Sequence, residues 1–292
     1  MDINIEYFLD EIETRFDRKM DEKIAPVYDC LYGLTATVGR IENKIDKVLD
    51  LIGDFVFFKN EDRDIEEKVN LMCSKISATE KNIPEEDLET YSSFVQDYYD
   101  NWEAFDQATK RCLPFAELLY SMLQRIKSYD YSSVILELCR ALENELLQKI
   151  FRSYTSNLIF RKKGNSLDRF LLEDKKNPKL ETQKFCKAVI RASKSENNVP
   201  KYTLGEMNKI LSLLNDEDKR SNSPLLSDFF SYLENIINLD MLLDSEYREK
   251  INEIINEYRN PSAHTDEMPK ERADECKKIM PYCLDYLLES MH

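Results

Sequence analysis

Residues 27–55 set the tightest constraint on how this chain can fold. Val27, Leu31, Leu34, Val38, Ile41, Ile45, Val48, Ile52 and Phe55 stand 4, 3, 4, 3, 4, 3, 4 and 3 residues apart. A straight α-helix turns every 3.6 residues. An apolar seam held at 3.5 over four repeats therefore stays against a partner only if the helices supercoil. A helix resting on a globular core needs no such regularity. Between the apolar positions the chain is polar and charged, as in "GRIENKIDKVLD". The pattern predicts a coiled coil joining two or more copies of the chain. The alternative is one long helix folded back on the rest of the same chain. Pro26 suits the first turn of this helix and not its interior, which makes residues 2–23 a separate or kinked helix.

The remainder also reads as helix. Five glycines and nine prolines in 292 residues leave few breakers, and Glu, Lys, Leu and Ile favour helices with short connections. The fold class expected is all-α, an N-terminal coiled-coil helix followed by an up-and-down bundle. The length suits one large domain or two ordinary ones. The division expected is residues 1–90, a coiled-coil, oligomerising and acidic region, and residues 91–292, a helical domain. Pro84 followed by Glu85, Glu86 and Asp87 makes a good first helical turn near that boundary. In "YSSVILELCRALENELLQKIF", Ser132 or Ser133 is positioned to cap a helix. Ile135, Leu138, Leu142, Leu146 and Ile150 line one of its faces. Residues 166–200 read as irregular or as short helices. "SEYREKINEIINEYRN" turns Ile251, Ile254, Ile255 and Tyr258 inward. A last helix follows Pro269, with a kink expected at Pro281.

Charge is unevenly spread. The net charge is -15, yet residues 1–100 hold 25 acidic and 12 basic side chains, whereas 147–201 hold 14 Lys and Arg against 5 Asp and Glu. The acidity is thus an N-terminal property, and a basic segment follows it. That segment is a phosphate-contacting face or a solvated surface. No apolar run reaches the ~20 residues that span a bilayer, and "MDINIEYFLDEIE" is unlike a secretory signal. The seven cysteines are scattered without a C-x-x-C pair, as expected of reduced thiols in a cytoplasmic protein. Cys276 and Cys283 stand two helical turns apart with no second histidine near them, a poor metal site. The chain holds no phosphate-binding glycine loop, no H-E-x-x-H and no serine nucleophile elbow. No cofactor is expected.

The stretch "EYRNPSAH", Glu257 to His264, carries the chemistry. Only two histidines occur, and the other, His292, is the last residue. Pro261 has no N–H to donate, so the chain turns or kinks here, which brings Arg259 and His264 within reach of one small anion. Arginine grips phosphate oxygens with a planar fork of permanent charge. Histidine exchanges a proton near neutral pH. Cleavage of RNA by its own 2'-hydroxyl requires both abilities.

This context resembles the HEPN superfamily, whose signature is Arg, four to six residues, then His, often with a polar residue after the Arg. Asn260 fills the polar position and Ala263 precedes the His. "YDYSSVILELCRALENELLQKIF" resembles the first long helix of a prokaryotic branch, and "KYTLGEMNKIL" is similar to a segment of it. The resemblance covers roughly residues 115–290. It implies an all-α bundle that dimerises so that two Arg…His motifs face one cleft, and a metal-independent endoribonuclease. Arg259 and His264 become the catalytic pair, with Asn260 orienting backbone or substrate. Glu143, on the rim of its helix's apolar face, takes the place of an acidic residue that family sites often carry near the Arg, while Glu137 points to solvent. The branch is common among toxins and antiviral defence effectors, which implies an antitoxin or sensor protein as a partner beside the RNA substrate and a second copy of the chain.

Other residues compete for a role. Arg161, Lys162 and Lys163 of "RKKG" could bind RNA phosphates, or be a solvated loop. Tyr98, Tyr99, Trp102 and Phe105 could stack on bases, although their helical spacing suits core or interface. The rival to the enzyme is a helical scaffold or regulatory module that binds a nucleotide or a protein. An enzyme exposes Arg259 and His264 in a groove between copies; a scaffold buries them with their polar groups satisfied internally.

Overall fold

The computed structural model describes residues 45–47, 49–50, 65–81, 85–162, 164–195, 199–263 and 267–291. The chain divides into two compact units, 1–50 and 51–292. Of the first unit, residues 45–47 and 49–50 are described, and they are helical. The rest of the 27–55 seam, Pro26, residues 2–23 and Pro84 lie outside the described residues.

The second unit is all-α. Its helices are α1 (Ile65–Lys81), α2 (Glu85–Gln96), α3 (Gln107–Arg125), α4 (Ser132–Glu145), α5 (Ser153–Arg161), α6 (Asn165–Phe170) and α7 (Leu172–Lys176). They continue as α8 (Gln183–Ser193), α9 (Leu204–Leu213), α10 (Glu217–Asn222), α11 (Pro224–Leu233), α12 (Leu239–Leu242), α13 (Ser245–Glu253) and α14 (Lys270–Glu289). Among the described residues the sole extended pairing is one antiparallel bridge, Ile237 with Met291. No described helix is long and apolar enough to cross a membrane.

Helix α4 is the axis of the bundle. α1, α3, α9 and α14 all pack against it. Ile135, Leu138 and Leu142 are buried as their spacing predicts, but so are Val134, Leu136, Cys139 and Ala141 on its other sides. A helix covered on so many sides lies inside a protein rather than on its surface. Its start differs from the serine cap expected. Tyr131 occupies the cap position, and the Asp130 carboxylate accepts from the Ser132 N–H at 3.0 Å. Asp130 also accepts from the Met268 N–H at 3.2 Å, and the Tyr131 N–H donates to the Met268 carbonyl at 2.8 Å. These bonds pin the segment that leads into α14 to the beginning of α4.

The compact unit that holds the bundle begins upstream of the division expected between residues 90 and 91. Val69, Met72 and Ile76 of α1 and Leu88 and Val95 of α2 are buried. The α1 residues are set 3 and 4 apart and make a seam against α4, so α1 and α2 belong with the bundle and the unit begins at Leu51. Each buried side chain of that size contributes about 1.5–3 kcal/mol. That is enough to dock a 17-residue helix, and the acidic first turn, Glu66 and Glu67, suits the positive end of its dipole.

Two helices pass into π-helical turns. One, Leu146–Arg152, joins α4 to α5 without a break; the other, Ile254–Arg259, extends α13. Such turns shift the helical register and often lie at functional sites. The helices α6 to α8 occupy the stretch read as irregular or as short helices, and α14 runs on through Pro281. Tyr99, Trp102 and Phe105 form a buried cluster with ring centroids 5.5–6.3 Å apart, while Tyr98 is exposed beside Phe94. Of these aromatics, three are therefore core.

Candidate functional site

The π turn after α13 decides where Arg259 goes. Ile251, Ile254, Ile255 and Tyr258 are buried as their spacing predicts. The Asn260 N–H then reaches back five residues to the Ile255 carbonyl, at 3.0 Å. Pro261 has no N–H and opens a short 3-10 turn, Pro261–Ala263, which the Ser262 hydroxyl ties to the Tyr258 carbonyl at 2.6 Å. Arg259 thereby points inward and is 2% exposed.

A buried guanidinium requires negative charge and acceptors around it. Three elements supply them. Nη1 and Nη2 of Arg259 donate to the two oxygens of Glu66, at 3.2 and 3.3 Å, from the first turn of α1. Nη2 also faces Glu143 Oε2 at 3.5 Å, from the last turn of α4, and Nη1 donates to Asn260 Oδ1 at 3.3 Å. Glu143 Oε2 has a further partner, the Leu204 N–H at 2.7 Å, at the start of α9. The positive end of that helix suits a carboxylate. α9 is itself held by a capping box between Thr203 and Glu206.

Three residues expected at the site, Arg259, Asn260 and Glu143, thus meet within hydrogen-bond distance. His264 and Lys163 lie outside the described residues. The others are differently placed. Arg161 is held in an ion pair at the surface. Its Nη1 and Nη2 donate to the two oxygens of Asp228 at 3.0 and 2.7 Å, and its Nε donates to Asn157 at 2.6 Å. Asp228 also accepts from the Tyr154 hydroxyl, which roots the pair in the aromatic core. Lys162 stands 4.5 Å over the ring of Phe170. Glu137 is corrected. It is fully buried rather than solvent-facing, because α4 is covered on every side, and it binds Arg140 at 2.9 Å.

Electrostatics follow from this packing. Burial pushes the Glu143 carboxyl up, against the downward pull of Arg259 and the Leu204 N–H. Burial works to lower the Arg259 pKa, but Glu143 and Glu66 outweigh it, so the guanidinium stays charged. Cys73 of α1 has its thiol pushed well up, first by burial and then by Glu143 and Glu137. It is therefore held protonated and is a poor nucleophile. Among the described residues the cysteines are unbridged and no cluster of His, Cys, Asp or Glu is arranged to hold a metal ion.

Glu66 is the site residue that sequence reasoning missed. Its signal was present: an acidic pair just before an apolar seam, Val69, Met72 and Ile76. The helix lay within the stretch read as the coiled-coil, oligomerising and acidic region.

The cluster has chemistry in one direction. A planar cation at the meeting of three helices can accept two oxygens of a carboxylate, a phosphate or a phosphorane. Comparison of the chain with protein-family models, with curated proteins and with solved structures found no match.

Proposed function

We propose that the chain is a metal-independent endoribonuclease of the HEPN type, acting at an Arg259…His264 site completed by a second copy of the chain. The observation that carries this reading is the convergence of Arg259, Asn260 and Glu143, residues drawn together from the sequence positions that the resemblance singled out. In the reaction a ribose 2'-hydroxyl attacks the adjacent phosphorus and the bond to the 5'-oxygen breaks. One proton leaves the 2'-oxygen and one reaches the 5'-oxygen, with His264 giving or taking a proton and Arg259 holding the charge on the non-bridging oxygens. The products are a 2',3'-cyclic phosphate and a 5'-hydroxyl. Service as a toxin or antiviral defence effector, restrained by an antitoxin or sensor protein, belongs to the same reading, as does a cytoplasmic setting.

A second reading has its own support. Arg259 is 2% exposed and its fork is met within one chain. That is what a helical scaffold or regulatory module would require of it. The two readings part on one experiment: cleavage of RNA in EDTA, and growth on induced expression, for wild type, Arg259→Ala and His264→Ala. Toxicity and cleavage lost in both variants supports the nuclease. Cleavage untouched by either substitution removes the site assignment.

A further inference from the structure

The Arg259 fork is occupied by an acid that reaches it from the edge of the bundle. Both oxygens of Glu66 face the guanidinium, as two oxygens of a phosphate would. Glu66 is the more exposed partner, its side chain 37% accessible against 25% for Glu143 and 2% for Arg259. Glu143 is fixed on a second side by the Leu204 N–H. Beside Glu66 lies a cavity of about 350 Å³, whose walls include Lys184, Lys209 and Gly205. That volume is at the lower end of small-ligand clefts. The two lysines pair at present with Glu206 at 3.1 Å and Glu181 at 2.8 Å. Glu66 therefore adds a third carboxylate to a wall that holds two lysines, and it stands between the cavity and the buried cation.

We propose that Glu66 is an internal competitor for the phosphate at Arg259, and that RNA phosphate entering from the neighbouring cavity must displace it. Turning Glu66 toward solvent removes one negative charge from the cavity wall and uncovers the guanidinium. This rests on the nuclease reading for what the opened site does, but its binding arm does not.

The test uses the full chain and a fluorophore-labelled, fully 2'-O-methylated oligoribonucleotide, which binds but lacks the attacking hydroxyl. Anisotropy is measured for wild type, Glu66→Gln, Glu66→Asp and the neighbouring Glu67→Gln, together with cleavage of the unmodified RNA in EDTA. Glu66→Gln is expected to bind about tenfold tighter, Glu66→Asp to gain less, and Glu67→Gln to stay near wild type. The gain is expected to vanish in Glu66→Gln/Arg259→Gln. Unchanged affinity in the Glu66 variants overturns the proposal, and so does a gain that survives loss of Arg259 or is matched by Glu67→Gln. Should Glu66→Gln fail to fold, Glu66→Asp decides, because it keeps the charge that Arg259 needs while shortening its reach. Tighter binding with no cleavage in any variant leaves the competitor standing and removes the nuclease. Cleavage by wild type with flat affinities does the reverse.

Discussion

Two carboxylates share one guanidinium at Arg259, and the burial of one of them, Glu143, bears on how the fold responds to pH. Burial raises the Glu143 carboxyl above the ordinary 4.5, and burial does the same to Glu145, which accepts from the Asp106 N–H at 2.7 Å. A carboxyl whose pKa is higher folded than unfolded holds its proton more readily when folded. Its contribution is fully present at low pH and is lost as pH rises from about 4.5 through the folded value. Glu181 works oppositely. Lys209 and Lys219 pull it down to about 2, so its contribution is present above 4.5 and is lost as pH falls toward 2. Glu143→Gln is therefore expected to flatten the loss of stability above pH 4.5, measured by urea denaturation across a pH series. An unchanged slope would mean that Glu143 is not held protonated more easily in the fold. Removing the cation has a larger cost. Arg259→Ala leaves Glu66 and Glu143 facing each other without a counter-charge. Breaking a buried pair costs roughly 3–5 kcal/mol, and the lower end applies because both carboxylates keep a route to water. The expected loss is about 3 kcal/mol by chemical denaturation. Loss of activity in Arg259→Ala must therefore be read beside its stability.

Helices made themselves legible in proportion to the regularity of their apolar spacing. Ile251, Ile254, Ile255 and Tyr258 announced one inner face, and Ile135, Leu138 and Leu142 announced part of another. The all-round burial of α4 was not legible, since the sequence of a central helix does not say what covers its polar positions; Glu137 and its partner Arg140 show this. Nor were the π turns: Ile251, Ile254, Ile255 and Tyr258 are spaced as an ordinary α-helix would space them, so the register shift at Arg259 shows only in the fold. Of the candidate site, the adjacent pair Arg259 and Asn260 could be read locally. Glu143 needed a resemblance, and Glu66, 193 positions from Arg259, needed the fold. The α1 seam is testable as an element. Ile76 is fully buried against the bundle, and Ile76→Ala is expected to cost about 2–5 kcal/mol. If α1 also releases locally, hydrogen exchange of its amides rises more than that of α4, and oligonucleotide affinity rises with it, since loosening α1 withdraws Glu66. A uniform rise in exchange across both helices would instead mean that α1 opens only with the whole bundle.

At the scale of the molecule, the chain joins a heptad seam to a bundle whose compact unit begins at Leu51. The bundle contains the hydrophobic seams that hold α1 and α2. Deleting 1–50 is expected to leave the helical circular-dichroism signal per residue of the bundle and its denaturation midpoint nearly unchanged. Most of the 27–55 seam is removed by that deletion. The proposed composite site draws Arg259 and His264 from two copies, and linking the copies raises their local concentration to the millimolar range for short connections. The shortened chain should therefore sediment as a smaller assembly at micromolar concentration and cleave RNA more slowly, with the rate recovering as its concentration is raised. Mass and rate must fall together if the seam serves the site. An unchanged mass would place the association surface in the bundle itself. A fall in mass with an undiminished, concentration-independent rate would mean that one copy of the chain suffices for the chemistry.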